Sequence, residues 1–292
     1  MITNYNGEQD KKSSELSKSK YANDYRLISN PDELIPIFAY ENKLYQDYFA
    51  WFLKYTNQKK QIWNWFSQEL LPKISDREVL IDAGAGNGEL LSHFLPEFSR
   101  CIAIEPNTDF TSVLRQLIPN EDLYQTTILN VPSSLPQANL VVQSHVKYYI
   151  PLEEWAINTE RMISWLAPDG CLVEVLQSKD SDFQIMIAEF LGQEYVRELR
   201  QFAEQYDCTR KIKIEVETKD AWVSCPCLEM MLGVAIFMIN NVPPHVLKNH
   251  PNLPTRKQLA KWIHQNYYSS KGIYQMSCGQ DFVQYFLLQR LL

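Results

Sequence analysis

One stretch limits what this chain can fold into more than any other: Val79-Leu80-Ile81-Asp82-Ala83-Gly84-Ala85-Gly86-Asn87-Gly88-Glu89-Leu90-Leu91. Val79, Leu80 and Ile81 form the short apolar run that a buried parallel strand requires. Gly84, Gly86 and Gly88 follow at every second position, where backbone turns sharply or passes close to a ligand. Leu90, Leu91, Phe94 and Leu95 then recur at helical spacing. The stretch therefore reads as strand, glycine turn and helix, with the helix N-terminus facing a crevice.

The same alternation continues downstream. Arg100–Glu105 reads as a second strand ending in an acid, and Pro106-Asn107-Thr108 opens a helix with Phe110, Val113, Leu114 and Leu117 on one face. Tyr124–Leu129 fits a third strand and Asn139–Ser144 a fourth. Leu152–Leu166 reads as a helix, Ala167–Gly170 as a turn, and Cys171–Leu176 as a fifth strand. Alternating strands and helices imply right-handed crossovers and a parallel sheet with helices on both faces. Ligands of such sheets bind beyond the strand carboxyl ends. The glycine turn, Glu105, Asn130 and the segment Gln143–Tyr149 all fall there.

The flanks differ in character. Residues 1–20 are almost free of apolar side chains and are expected to be a disordered tail. From 21 to 74 aromatic residues crowd together (Tyr40, Tyr45, Tyr48, Phe49, Trp51, Phe52, Tyr55, Trp63, Trp65, Phe66), as a helical cover over the sheet whose rings pack in the core or line a ligand pocket. Leu44, Tyr48, Phe49, Trp51 and Phe52 make one broad apolar stripe. Residues 75–178 form the ligand-binding core, and 179–292 a substrate lobe with closing strands. Within that lobe, Phe183–Tyr206, Leu228–Ile239 and Thr255–Tyr268 read as helical, and Lys211–Ser224 and Gln284–Leu288 as strands.

Composition narrows the function classes. The 292 residues are 45% hydrophobic and 22% charged, with a net charge of −7 and no long basic block. That balance argues against a nucleic-acid surface. The longest apolar stretch, Leu228–Ile239, is too short to span a bilayer. The polar, lysine-rich N-terminus does not read as a secretory signal, so a cytoplasmic location is expected. Cys101, Cys171, Cys208, Cys225, Cys227 and Cys278 are scattered and read as reduced thiols. No second Cys/His pair accompanies Cys225 and Cys227, and no metal site is expected.

The ligand class follows from spacing. Glu105 lies 21 residues after Gly84, where its carboxylate can accept hydrogen bonds from a ribose diol. A dinucleotide turn places its third glycine as G-x-G-x-x-G. Here that position is Glu89, whose charge at a helix N-terminus opposes a pyrophosphate. A P-loop is excluded because no Gly-Lys-Ser/Thr follows. A ribose-bearing ligand without phosphates remains, and S-adenosylmethionine is the candidate, with Asp82 positioning the loop or meeting its cationic methionine end.

Ile81–Gly88 together with Ile104-Glu105-Pro106 resembles class I S-adenosylmethionine-dependent methyltransferases, and Leu166-Ala167-Pro168-Asp169-Gly170-Cys171-Leu172 is similar to that family's L-x-P-x-G passage into the fifth strand. The resemblance implies a Rossmann-like α/β fold and a cofactor site made of Asp82, Gly84, Ala85, Gly86, Gly88, Glu105, Pro106, Asn130 and Ser144. More narrowly, Ser144–Ile150 is similar to the x-Q-x-L-Y-Y-V segment of the histamine N-methyltransferase group. That likeness implies an acceptor site at His145, where the group has glutamine, at Gln58, where it has glutamate, and at Asp281, near its asparagine. Tyr45 and Tyr149 complete the expected acceptor contacts, and His145 and Tyr148 are the expected catalytic residues.

Methyl transfer to an amine needs only a free lone pair, whereas a hydroxyl usually needs a base. The expected activity is transfer to a small-molecule amine nitrogen by a monomer or homodimer. The alternatives are O-methylation with His145 as base, or an inactive binding protein of the same fold.

Overall fold

The computed structural model describes residues 32–38, 43–132, 134–206, 212–269 and 271–287. The expected tail at 1–20, the stretch from there to 31, and Tyr40, Cys208 and Leu288 lie outside the described residues.

In chain order the helices and strands are α1 (Lys43–Tyr55), α2 (Gln58–Trp65), β1 (Val79–Ala83), α3 (Glu89–Phe94), β2 (Arg100–Ile104), α4 (Thr108–Leu114), β3 (Leu123–Tyr124), β4 (Ala138–Ser144), α5 (Trp155–Ile163), β5 (Leu166–Gln177), α6 (Asp182–Phe190), α7 (Leu199–Gln205), β6 (Ile212–Lys219), β7 (Trp222–Cys225), α8 (Leu228–Ile239), α9 (Pro244–Lys248), α10 (Arg256–Tyr267), β8 (Tyr274–Ser277) and β9 (Gln280–Leu287). The chain forms two compact units, one of residues 54–224 and 276 onward, the other of residues before 54 together with 225–275.

The larger unit holds a seven-stranded sheet in the order β3-β2-β1-β4-β5-β9-β6. The first five strands run parallel, and β9 is antiparallel to both β5 and β6. Side chains alternate between its two faces, as a period of two demands. Leu80, Leu140, Val142 and Val173 pack with Ile62, Trp65, Phe66, Leu91, Phe94 and Leu114 of the α2–α4 side. Ile81, Ile102, Val141 and Leu172 pack with Trp155, Met162, Ile163, Leu199 and Ala203 of α5 and α7. Both faces are covered, which is why the central strands read as near-continuous apolar runs. The connections leave in opposite directions at β1 and β4, the switch point beside which this architecture binds ligands.

Several expected boundaries shift for local reasons. The third strand is limited to Leu123–Tyr124, because the Thr126 N–H turns back onto the Tyr124 carbonyl (2.9 Å) and a single helical turn follows at Ile128–Asn130. The expected turn at Ala167–Gly170 lies inside β5 as a bulge. The register jumps between Ala138–Leu166 and Leu140–Cys171, and Asp169 takes a φ of 64°. A Cβ on Gly170 would press on the carbonyl oxygens of Ala138 (2.7 Å) and Ala167 (2.9 Å), so the bulge needs glycine there. The helix expected over Leu152–Leu166 ends at Ile163, since Leu166 already pairs with β4. Lys211–Ser224 divides into β6 and β7 where the Ala221 carbonyl accepts the Cys278 N–H (2.8 Å). Phe183–Tyr206 divides around Gly192.

In the smaller unit α8 is buried on all sides from Met230 to Ile239, as an apolar helix without a polar face must be. A Cβ on Gly233 would overlap the Trp51 ring at 2.5 Å, so glycine there lets α1 approach. Tyr45, Phe49 and Phe52 gather around Phe237. Tyr48 and Phe52 are buried, whereas Leu44 of the expected stripe is exposed. Asn240 caps α8 with its side chain, donating to the carbonyls of Pro36 (3.0 Å) and Ile236 (2.9 Å) and accepting from Phe38 N–H (3.1 Å). Thr255 and Gln258 form a capping box at the start of α10.

Candidate cofactor and acceptor site

Two groups of residues occupy the carboxyl ends of the strands in the larger unit. The first is the loop between β1 and α3. Its sharp path follows from Gly84 (φ 97°) and Gly86 (φ 54°), both left-handed. A Cβ on Gly84 would lie 2.2 Å from the Val146 side chain, so this glycine lets the loop press against the segment after β4. A Cβ on Gly86 would meet nothing within 4 Å. Glycine there serves the turn and leaves open space, the situation of backbone that faces a ligand.

Most of the loop's donors are already used. Gly84 and Ala85 N–H bond the Ile104 carbonyl (2.7 and 3.2 Å), and Gly88 N–H bonds that of Ala85 (2.9 Å). Gly86 N–H donates to Glu105 Oε2 (2.8 Å) and Glu89 N–H to Asn87 Oδ1 (3.3 Å). A phosphate cradle needs free N–H groups; this loop satisfies them internally. Glu89 pairs with Lys59 of α2.

Glu105, at the end of β2, is buried. Its Oε1 accepts from Asn107 N–H (2.8 Å), which leaves each carboxylate oxygen a further lone pair for a hydroxyl donor. Asp82, near the end of β1, is buried with Oδ2 unpartnered. Burial first, and then the Glu105 charge, push its carboxyl up to about 7. Two buried acids side by side with an unpartnered oxygen suit a ligand that brings both a diol and a positive charge. S-adenosylmethionine has both and carries no phosphate, so the residues present fit it.

The remaining expected cofactor positions surround this pair. Ala85 is buried in the loop, Gly88 is the N-cap of α3, and Ser144 ends β4 half-buried. Pro106 and Asn130 are exposed, just after β2 and in the single turn after β3.

The second group follows β4. His145 has a φ of 59°, unusual for a residue with a side chain, and its N–H bonds the Val175 carbonyl (2.9 Å). Its ring stacks on Tyr148 (6.1 Å between centroids, 10° between planes). Burial lowers its pKa to about 4 against the opposing effect of the Gln280 side chain, which lies within hydrogen-bonding reach of the ring. Tyr148 Oη accepts from the Gln177 N–H (3.1 Å), and burial pushes its phenol well above the ordinary range. Tyr149 is exposed.

The other expected acceptor residues have defined surroundings. Gln58 is buried at the start of α2, and its carbonyl accepts from Gln280 Nε2 (3.4 Å). Asp281 on β9 is buried, accepts from Thr218 Oγ1 (2.6 Å) and lies 3.9 Å from the Arg200 guanidinium. Burial raises its carboxyl against the opposing Thr218 hydrogen bond and Arg200 charge. Tyr45 belongs to the smaller unit, among Phe38, Phe49 and Phe237.

Three features escaped the sequence reading. Gln177 and Gln280 face each other on β5 and β9. Lys147 is buried, with Nζ 3.1 Å from Glu174 Oε1 and donating to Thr159 Oγ1 (3.0 Å), over the rings of Trp155 and Phe202. Glu174 also accepts from Tyr285 Oη (2.9 Å). A lysine amid Val146, Tyr148 and Ile150 was a signal of burial, but nothing in the sequence pointed to its partner.

Among the described residues no group of three or more His, Cys, Asp or Glu is arranged to hold a metal ion, and no helix is long and apolar enough to cross a membrane.

The sheet order, the antiparallel penultimate strand and the acid-lined glycine loop define a class I methyltransferase architecture. A family model described as a methyltransferase domain matches residues 55–268, and the chain belongs to that family. It is an S-adenosylmethionine-dependent methyltransferase. No curated protein matches the chain. Among solved structures, YcgJ of Bacillus subtilis is 14% identical, over 75% of this chain and 97% of its own, with a TM-score of 0.47. The N-methyltransferase NodS from Bradyrhizobium japonicum is 11% identical over 86% and 100%, at 0.45. The plantazolicin methyltransferase BpumL, solved with a triazolic desmethylPZN analog and SAH, is 12% identical over 95% and 99%, at 0.44.

Proposed function

We propose that this enzyme methylates a nitrogen atom of a small molecule. The observation that carries the reading is that the segment after β4 offers hydrogen bonding but no base. His145 is held neutral down to about pH 4, too weak to deprotonate a hydroxyl, and Tyr148 keeps its proton. A nitrogen lone pair needs no base, only orientation and exclusion of water. The similarity of Ser144–Ile150 to an amine-methylating group supports the same reading.

In this reading Glu105 receives the ribose hydroxyls, Gly86 gives the loop room to approach, and Asp82 lies toward the cationic end. Ala85, Gly88, Pro106, Asn130 and Ser144 complete the cofactor contacts. When bound, S-adenosylmethionine supplies an electrophilic methyl carbon on a sulfonium leaving group. His145, Gln58 and Tyr149 orient the acceptor. The proton lost by the methylated nitrogen goes to solvent.

The test is S-adenosylhomocysteine release with pooled small amines and, separately, pooled phenols. Turnover with amines and none with phenols is expected. Turnover with phenols alone overturns the reading, as does a rate with amines that titrates with His145 and disappears in His145→Gln.

A further inference from the structure

We infer that the acceptor presents an uncharged amide-type edge, one hydrogen-bond acceptor beside one donor, and that Gln177 and Gln280 recognise it. The inference rests on the proposed small-molecule nitrogen acceptor and names its class. The two glutamines are directly paired across β5 and β9, with side chains on the same face of the sheet. Both are buried. Gln177 spends Oε1 on Gln184 Nε2 (3.5 Å), and Gln280 spends Nε2 on the Gln58 carbonyl (3.4 Å). Gln177 Nε2 and Gln280 Oε1 remain without hydrogen-bond partners, and the Gln280 amide borders the His145 ring.

Buried polar atoms are nearly always paired, so an unpaired donor and acceptor on opposed residues mark a place where a hydrogen-bonding group belongs. Their chemistry selects the group. A carboxamide, lactam or amino-substituted heterocycle offers the complementary acceptor and donor. An ammonium offers only donors and would leave Gln177 Nε2 unmatched. Lys59 is paired with Glu89, and Asp281 faces the other side of the sheet, toward Thr218 and Arg200. Neither is left to balance a charged acceptor, and His145 is neutral.

Binding probes separate this inference from the proposed reaction. The protein loaded with S-adenosylhomocysteine is titrated with benzamide, with methyl benzoate, which lacks the donor, and with benzyltrimethylammonium, a fixed cation. Benzamide is expected to bind about tenfold more tightly than either. Gln177→Leu is expected to remove that advantage, and Gln280→Glu to shift preference toward the cation by about tenfold. Retained S-adenosylhomocysteine affinity shows that each variant is folded; if Gln280→Glu does not fold, Gln280→Met takes its place and is expected to abolish the benzamide preference. Binding of the cation as tightly as benzamide, no binding by any probe, or a benzamide affinity unchanged in Gln177→Leu overturns the inference. The last result would show that the two amides pair with each other. Failure of methyl transfer in the release assay, with benzamide still bound as expected, would instead overturn the reaction alone.

Discussion

The two halves of the site handle charge in opposite ways. Beside β1 and β2, Asp82 and Glu105 are buried acids held close together, one with an unpartnered oxygen. Beside β4, β5 and β9, the polar groups are amides and a neutral imidazole, and the acids there have protein partners, Lys147 for Glu174 and Thr218 and Arg200 for Asp281. The first half stores an electrostatic cost that a cation would relieve; the second holds unpaired dipoles that the inferred neutral acceptor would satisfy. A methyl donor with a positive charge and an acceptor without one would thus be sorted by the same sheet.

The largest effect is expected from the charge pair behind the acceptor half. Lys147→Met leaves Glu174 buried without its cation and should destabilise the protein by about 3–5 kcal/mol. Adding Glu174→Gln removes the orphaned charge while keeping an acceptor for Tyr285, and should recover at least half of that loss in denaturant titrations. Equal stability of the single and double variants would show that the pair contributes nothing electrostatic.

Next is the loop. Gly86→Asp puts a side chain into the open space beside the loop at a left-handed position, and S-adenosylmethionine affinity should fall by at least about 100-fold. Calorimetry that finds unchanged affinity would remove this loop from the cofactor site and break the contrast at its stronger end.

Asp82 allows a test of sign. Its carboxyl is raised from 3.8 to about 7 in the folded protein. Between those values the folded state holds a proton that the unfolded state has released, so the free protein loses stability as pH rises through this window and levels off above it. A cation favours the ionised form, so cofactor affinity should increase with pH up to about 7 and then plateau. Asp82→Asn should flatten that dependence and raise the melting temperature at pH 8 without cofactor. A flat profile in the unmodified protein would assign the positive end elsewhere.

The smallest change is expected at His145. With a pKa of about 4 it is already neutral at working pH, so His145→Gln should alter acceptor KM by a few fold and leave the pH profile of kcat in place. A lost inflection near neutrality would make the imidazole a base and bring the two halves closer in kind.

The two halves also differ in how far the sequence disclosed them. Val79–Leu91 is a continuous segment whose apolar run, glycines and helix spacing are local properties, and Glu105 ends the adjacent strand. Local sterics and periodicity were enough to read strand, turn, helix and ligand class there. The bulge in β5 was read as a turn because Pro168, Asp169 and Gly170 have turn chemistry; only pairing with β4 carries them into the strand. The proposed acceptor half draws on α2, β4, β5 and β9, and the register of β9 against β5 sets Gln177 opposite Gln280. A one-residue slip would turn either amide to the other face.

By itself, then, the sequence determined the alternating α/β architecture, the glycine loop, and the acids that favour a ribose and a cation over phosphates. Those depend on neighbours in the chain. Only the tertiary structure decided which polar groups would be buried without partners, which charges the protein would consume, and that His145 would be neutral, because desolvation and pairing are set by residues brought together from distant segments.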